Sequence, residues 1–291
     1  MTDIVSKECQ GMFSEPEYGF WSLKKEISLM YWTWPFLQIA KQYFDSFYYL
    51  DLFAGSGLMK ADSYFFVGSP IVAISSSQSD KKFSQYIFFE SDKARHAALV
   101  KRADIASKYF GTIKPLILND DCNLALDKVL ANYCPREKAC FLAFVDPQGI
   151  TDLKWATLEK LLTHCKGDLI LNFPTSGIIR NLSKPESEKA LSSFFGDENW
   201  HNIDKTPDAI LGYFIDKIAF TRVEGRPRTV DYMPVLDELN HRLYDLIFAT
   251  GSAGMKNALD DLKNRLEKIK TRDFKEIHKV ISGPQKQLIG Y

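Results

Sequence analysis

The sequence predicts an α/β protein built on a doubly wound, mostly parallel sheet, and three observations carry that prediction. Short apolar runs alternate with amphipathic stretches through the middle of the 291-residue chain, which is typical of strands joined by helices. The apolar runs are nearly continuous, as expected for parallel strands that are buried on both faces. Two further strands near the C-terminus are expected to pair as a late antiparallel hairpin, which gives a seven-stranded sheet.

The positions of the elements follow from these runs and from the residues between them. Five central strands are expected at 47–53, 86–89, 114–118, 140–145 and 168–173. Helices are expected to begin at Ser69, where Pro70 follows at the first helical position, and to cover 92–109, 121–132 and 154–165. The late hairpin is expected at 230–236 and 243–250. Pro234 lies in its first strand, so that strand is expected at an edge of the sheet.

The chain is expected to divide into four segments. Residues 1–46 form an N-terminal helical extension, because apolar residues recur at roughly helical spacing from Trp21 to Leu37. Residues 47–174 form a Rossmann-like, ligand-binding core, 175–228 an inserted helical cap, and 229–291 the terminal strand pair with C-terminal helices.

Lys24 is a candidate to reach a ligand, although a helix that only covers the sheet is the simpler interpretation. The segment after Ser252 is basic, but interleaved acids favour a solvated helix over a nucleic-acid contact.

Composition limits the classes of function. Lysine plus arginine and aspartate plus glutamate both total 37, so any nucleic-acid surface must be local. The five cysteines are scattered and form no CxxC pair, which argues against a disulfide framework or a metal site and favours a reducing, cytoplasmic location. We find no run of about 18 apolar residues, so no membrane association is expected. The five histidines are dispersed and no nucleophile elbow is present, which disfavours a Ser/His/Asp or Cys/His enzyme.

A glycine-rich turn ends the first predicted strand and is the strongest single signal in the sequence. Gly55 and Gly57 allow the backbone to turn tightly and to approach a ligand that a β-carbon would exclude. Phe53 and Ala54 belong to the same turn and are expected to contact that ligand. Asp51 is expected to orient the turn and to be part of the ligand-binding site. One GxG pair is weak evidence by itself, so its meaning depends on the residues that follow.

Acidic residues follow the second and third predicted strands. Glu90 can accept hydrogen bonds from both hydroxyls of an adenosine ribose, and Asp120 can meet the amino group of an adenine ring. The alternative for acids at such positions is a helix cap, and this is the interpretation that we prefer for Asp92 and Asp121.

The fourth predicted strand ends in Asp146 and Pro147, which are the candidate catalytic residues. The carboxylate and the proline carbonyl can both accept hydrogens from an exocyclic amine, which directs the nitrogen lone pair at a methyl donor by positioning alone. The alternative is a simple turn after a strand.

Taken in order, six segments resemble the three-Cys-motif partner family: YLDLFAGSG, GSP, FFE, FVDPQG, DLILNF and YDLIFATG. The resemblance extends from about Trp21 to Gly254. It implies a methyltransferase-type fold, S-adenosyl-L-methionine (SAM) as the cofactor, and a radical-SAM-type partner whose three cysteines ligate an iron–sulfur cluster. The cysteines of this chain do not supply that motif.

The fourth-strand motif is also similar to the DPPY loop of amino-methyltransferases that act on adenine or cytosine. This similarity implies that Asp146 and Pro147 orient the target amine. Gln148 and Gly149 stand where the second proline and a stacking aromatic are expected, so a flipped base loses stacking of ~1–3 kcal/mol. Phe173 is the candidate to replace it.

These observations predict a SAM-dependent methyltransferase acting on an amino nitrogen of a nucleobase in DNA or RNA. The alternative is a non-catalytic, methyltransferase-like module that binds nucleic acid or substrate for the three-Cys partner protein.

Overall fold

The computed structural model describes residues 19–61, 64–76, 82–134, 138–221, 227–252 and 254–268. The predicted α/β fold is confirmed, because seven strands form one mainly parallel sheet with helices on both faces. The strands are β1 Ser46–Asp51, β2 Leu58–Ala61, β3 Tyr64–Val67, β4 Gln85–Phe89, β5 Leu116–Leu118, β6 Ala139–Val145, β7 Lys166–Phe173, β8 Thr229–Leu236 and β9 Arg242–Thr250. The helices are α1 Leu23–Tyr43, α2 Ser69–Ser76, α3 Lys93–Phe110, α4 Cys122–Tyr133, α5 Trp155–His164, α6 Thr175–Asn181, α7 Glu188–Phe195, α8 Pro207–Phe220 and α9 Met255–Lys268.

The order of strands in the large sheet is β5-β4-β1-β6-β7-β9-β8. The first five of these are parallel, and β9 runs antiparallel to both β7 and β8. The chain moves outward from β1 to β4 and β5 and then crosses to β6 on the other side of β1. Open α/β sheets bind ligands at the carboxyl ends of strands beside such a switch. Pro234 lies on the edge strand β8, as predicted.

The segment between Gly57 and Gly68 connects the glycine-rich turn to α2. It contains the antiparallel pair β2–β3, with Leu58 opposite Val67. The Gly68 N–H donates to the Gly57 carbonyl at 2.9 Å, which closes this small hairpin against the glycine-rich turn. Two four-residue strands leave too short a pattern to recognise in a sequence.

Helix α1 is part of the core. Leu29, Trp32 and Phe36 are buried in the apolar cluster on one face of the sheet, together with residues of α2, α3 and α9. The Trp32 indole N–H donates to Asp168 Oδ2 on β7 at 3.1 Å. The N-terminal segment therefore covers a sheet face, as the helical spacing indicated. Within the described ranges, no helix has the length and apolarity needed to cross a membrane.

The segment 175–228 contributes three helices to the opposite face. Phe194 and Phe214 are fully buried there with their ring centroids 5.2 Å apart, and the Phe173 ring lies 5.0 Å from that of Phe214. The suggestion that Phe173 stacks on a flipped base is therefore wrong, because its ring belongs to this aromatic core. Most of the basic C-terminal segment lies outside the described residues.

Candidate functional site

A cavity of about 880 Å³ opens at the carboxyl ends of β1, β4, β5 and β6, with α1 and α6 forming further walls. This volume is within the range of small-molecule sites. Most of the predicted site residues line it: Phe53, Ala54, Gly55, Gly57, Glu90, Asp120, Asp146 and Pro147. Lys24 and Asp51 are the two predicted residues that do not.

The glycine-rich turn has the left-handed backbone that its composition predicts. Gly55 has φ +63° and Gly57 has φ +82°. A β-carbon at Gly55 would meet no atom within 4 Å, so this part of the turn faces open cavity. Below the turn, the buried Arg102 donates from Nη1 to the Ser56 carbonyl at 2.9 Å. The turn is thus held by the protein on one side and open to a ligand on the other.

Asp51 orients the turn, as expected, but it does not line the cavity, which corrects its assignment to the ligand-binding residues. It is fully buried, and its carboxylate accepts hydrogen bonds from the Tyr49 hydroxyl at 3.2 Å, the Phe53 N–H at 3.3 Å and the Ser69 hydroxyl. Burial raises the pKa of Asp51 to about 7, although these hydrogen bonds oppose the rise. The side chain fixes the start of the turn.

Glu90 and Asp120 lie on the same wall of the cavity. Glu90 is buried, and its Oε1 accepts from the Asp92 N–H at 2.8 Å. Asn119 Nδ2 donates to the Glu90 carbonyl at 2.9 Å and so ties the end of β5 to the end of β4. Asp120 is exposed, and its Oδ1 accepts from the Asp121 N–H at 2.9 Å. Both carboxylates keep capacity to accept from a ligand.

The two neighbouring acids are helix caps, as predicted. Asp92 accepts from the Arg95 N–H at 2.8 Å at the start of α3, and Asp121 accepts from the Asn123 N–H at 2.8 Å at the start of α4. Both residues therefore have a structural role that needs no ligand.

Asp146 is held by side chains from two other elements. Its Oδ2 lies 2.5 Å from Lys25 Nζ on α1, and its Oδ1 accepts from Asn172 Nδ2 on β7 at 2.7 Å. The loop that follows is tied to Asp152, whose Oδ2 accepts from the N–H groups of Gln148 and Gly149 at 3.0 Å each. The orientation of Asp146 is therefore set before any ligand binds.

Lys25 and Glu26 are two site residues that sequence reasoning missed. Both are buried and line the cavity, whereas Lys24 is half-buried and lies outside its lining. Glu26 is 3% exposed, and its Oε2 has no hydrogen-bond partner among the described residues. Burial raises the pKa of Glu26 well above its ordinary value, and the charge of Lys25 opposes this rise. Three consecutive charged residues, Lys24, Lys25 and Glu26, at the start of a largely apolar helix were the available signal.

Aromatic side chains form part of the cavity wall near α1. Trp21 is 37% exposed, and its carbonyl accepts a hydrogen bond from the Tyr244 hydroxyl at 2.8 Å. Lys25 Nζ lies 5.5 Å from the centre of the Tyr244 ring.

Cys122 also lines the cavity, but burial raises the pKa of its thiol to about 12, so it stays protonated and is a poor nucleophile.

Comparison with known proteins finds no matching family model and no matching curated protein. Among solved structures, protein LPL1258 from Legionella pneumophila has a TM-score of 0.53 at 13% identity, covering 91% of this chain and 94% of that chain. A putative O-methyltransferase from Klebsiella pneumoniae has a TM-score of 0.48 at 11% identity, covering 86% and 89%. An O-methyltransferase from Bacillus cereus in complex with SAH has a TM-score of 0.42 at 11% identity, covering 84% and 86%. The first likeness supports the α/β fold.

Proposed function

We propose that this protein is a SAM-dependent methyltransferase whose acceptor is the exocyclic amine of a nucleobase in DNA or RNA. The observation that carries the proposal is the convergence of Gly55, Glu90 and Asp146 on one cavity. These residues lie beyond the ends of three neighbouring parallel strands, beside the switch in strand order.

The cavity suits the adenosine end of SAM. The left-handed turn leaves open space at Gly55 where a nucleoside can approach the backbone. The Glu90 carboxylate is available for the ribose hydroxyls, and the exposed Asp120 carboxylate is available for the adenine amino group. We therefore assign Phe53, Ala54, Gly55, Gly57, Glu90 and Asp120 to the cofactor.

Bound SAM supplies an electrophilic methyl group, and the protein has to position the amine. Asp146 and the Pro147 carbonyl would accept hydrogen bonds from the two amine N–H groups, which leaves the nitrogen lone pair free. The N–CH3 bond would form as the S–CH3 bond breaks, and the methylated nitrogen would then lose a proton to solvent. To accept its hydrogen bond, Asp146 must exchange its contact with Lys25 for the amine, while Asn172 continues to hold Oδ1. Positioning of this kind replaces strong base catalysis.

Two features favour a nucleobase over a small amine. Trp21 presents an exposed aromatic ring at the cavity wall, and a ring in that position can stack on a planar base where Gln148 and Gly149 cannot. Lys154 and Arg180 are exposed residues of the cavity rim, where they can meet phosphates despite the neutral net charge of the chain.

One observation favours a second candidate function. Both carboxylate oxygens of Asp146 already have partners within the protein, Lys25 and Asn172. An acceptor-orienting residue that is occupied in this way is consistent with a non-catalytic module that serves a three-Cys radical-SAM-type protein by binding substrate or nucleic acid.

The test combines calorimetric titration with SAM and transfer from methyl-tritiated SAM. DNA, RNA and protein pools are each incubated with the wild type and with Asp146→Ala, and labelled nucleic acid is digested to nucleosides for mass spectrometry. We expect saturable SAM binding by both proteins, label in a nucleic-acid pool, and loss of transfer in the variant. The label should be recovered as an N-methylated base.

The opposing results are distinct. SAM binding without transfer to any pool argues against the methyltransferase, and no SAM binding overturns it and favours the partner module. Nucleic-acid affinity should fall steeply with salt if phosphates are contacted, so affinity that ignores salt would argue against a nucleic-acid acceptor.

A further inference from the structure

Glu26 is the buried polar group of the cavity that the proposed chemistry leaves unused. It is 3% exposed, lines the cavity, and carries a buried Oε2 with no hydrogen-bond partner among the described residues. Leaving a buried carboxylate oxygen unpartnered is costly, so such a group usually has a partner in the functional state.

The charges around Glu26 indicate what that partner is. The ionisable groups that act on it most strongly are Lys25, Asp146 and Asp51. Two carboxyl groups and one ammonium group therefore act on Glu26, and that ammonium already contacts Asp146. The phenols of Tyr49 and Tyr244 face the same region and add no positive charge. This corner of the cavity accepts a cation or an N–H donor.

The position of Glu26 in the cavity indicates which part of SAM can reach it. The sulfur of SAM carries three arms: adenosine, the methyl group and the amino-acid end. With adenosine assigned to Glu90 and the methyl group to Asp146, one polar wall that remains for the third arm is the start of α1, which carries Ser22, Lys25 and Glu26.

We propose that Glu26 binds the ammonium group at the amino-acid end of SAM, an inference that rests on the proposed function. The acceptor amine is the weaker alternative, because it is neutral when reactive and already has Asp146 and the Pro147 carbonyl as acceptors. An ammonium adds a positive charge to a corner in which the ammonium of Lys25 is already paired with Asp146.

The test compares two ligands that differ only at that end. S-adenosylhomocysteine carries the amino-acid group, whereas 5′-methylthioadenosine keeps adenosine and sulfur but lacks it. Both are titrated by calorimetry into the wild type, Glu26→Gln and Lys24→Gln, the last being a control on the same helix outside the cavity lining. Thermal unfolding without ligand is recorded for all three.

We expect Glu26→Gln to weaken S-adenosylhomocysteine binding roughly 10- to 100-fold, as for the loss of a charge-assisted hydrogen bond. Binding of 5′-methylthioadenosine should stay within about 3-fold, and Lys24→Gln should change neither. The melting temperature of Glu26→Gln without ligand should stay close to that of the wild type, because burial raises the pKa of Glu26 and so favours its neutral form, and the amide is neutral and of similar size. Glu26→Asp, which keeps the charge on a shorter arm, should retain part of the discrimination.

Three outcomes would overturn the inference. Unchanged S-adenosylhomocysteine affinity in Glu26→Gln excludes the contact, and equal weakening of both ligands shows that Glu26 only shapes the cavity. If the wild type binds neither ligand, the proposed function itself fails, which is distinguishable because the first two outcomes require intact wild-type binding.

Discussion

Lys25 Nζ lies 2.5 Å from Asp146 Oδ2, and this contact joins the N-terminal helix to the carboxyl end of β6 across 121 positions of sequence. The side chains are 9% and 21% exposed, so the pair is largely withdrawn from water. The orientation of Asp146 therefore depends on α1 as well as on the sheet that carries it.

A double-mutant cycle should measure the strength of this contact. We expect Lys25→Met to lower the free energy of unfolding by about 1–2 kcal/mol, since it leaves Asp146 with one partner while the open cavity allows partial rehydration. The double variant Lys25→Met/Asp146→Asn should lose less free energy of unfolding than the two single variants lose together. We expect a difference of more than about 0.5 kcal/mol, measured by urea denaturation.

The exposed pair Lys108 and Asp104, at 2.7 Å on α3, provides the control cycle. Its coupling should not exceed about 0.5 kcal/mol, because solvent screens exposed pairs. Additive effects at Lys25 and Asp146 would show that their contact does not contribute to stability.

The sheet was predictable because its central strands are buried on both faces. A run such as 140–145 is apolar throughout, and β6 is buried along its whole length. The glycine turn and the acids at the strand ends were predictable for a related reason, since carboxyl ends of parallel strands meet at one edge. Glu90 and Asp146 could thus be assigned to one cavity from chain order alone.

Helix α1 shows what the sequence could not provide. Its buried residues include Lys25, Glu26, Ser28 and Thr33 as well as apolar ones, so no polar stripe marks the solvent side. The sequence therefore did not indicate which side of the helix faces the cavity, and Lys24 was predicted to reach a ligand in place of its neighbour Lys25. Asp51 was misassigned because adjacency to a glycine turn does not reveal whether a carboxylate faces the ligand or the turn itself.

Asp168 should give the protein a measurable pH dependence of stability. Burial raises its pKa to about 6, and the Thr250 hydroxyl, the Trp32 indole and the charge of Arg228 limit the rise. Burial also raises the pKa of the neighbouring Cys140 thiol, so this thiol stays protonated in the same pH range. Between about pH 4 and 6 the folded state therefore binds more protons at Asp168 than the unfolded state, so this contribution to stability falls as pH rises.

The expected loss across that window is roughly 3 kcal/mol, which corresponds to about two pKa units. The contribution of Asp168 can be isolated by urea denaturation of the wild type and Asp168→Asn between pH 4 and 7, because the other acids titrate equally in both proteins. The stability of Asp168→Asn relative to the wild type should increase with pH and level off above pH 6. Parallel curves would mean that Asp168 has an ordinary pKa.

Glu90 should separate the adenosine end of the cofactor from its amino-acid end. S-adenosylhomocysteine and 5′-methylthioadenosine both carry the ribose, so Glu90→Gln should weaken both by a similar factor of roughly 10 to 100 in calorimetric titration. Asp92→Asn is the matched control, because Asp92 is an exposed cap beside Glu90 and should affect helix stability by at most ~1 kcal/mol without changing affinity. Since Glu26→Gln is expected to weaken only the first ligand, the two variants together define which wall meets which end. Weakening of S-adenosylhomocysteine alone by Glu90→Gln would reverse that orientation and place the ribose elsewhere.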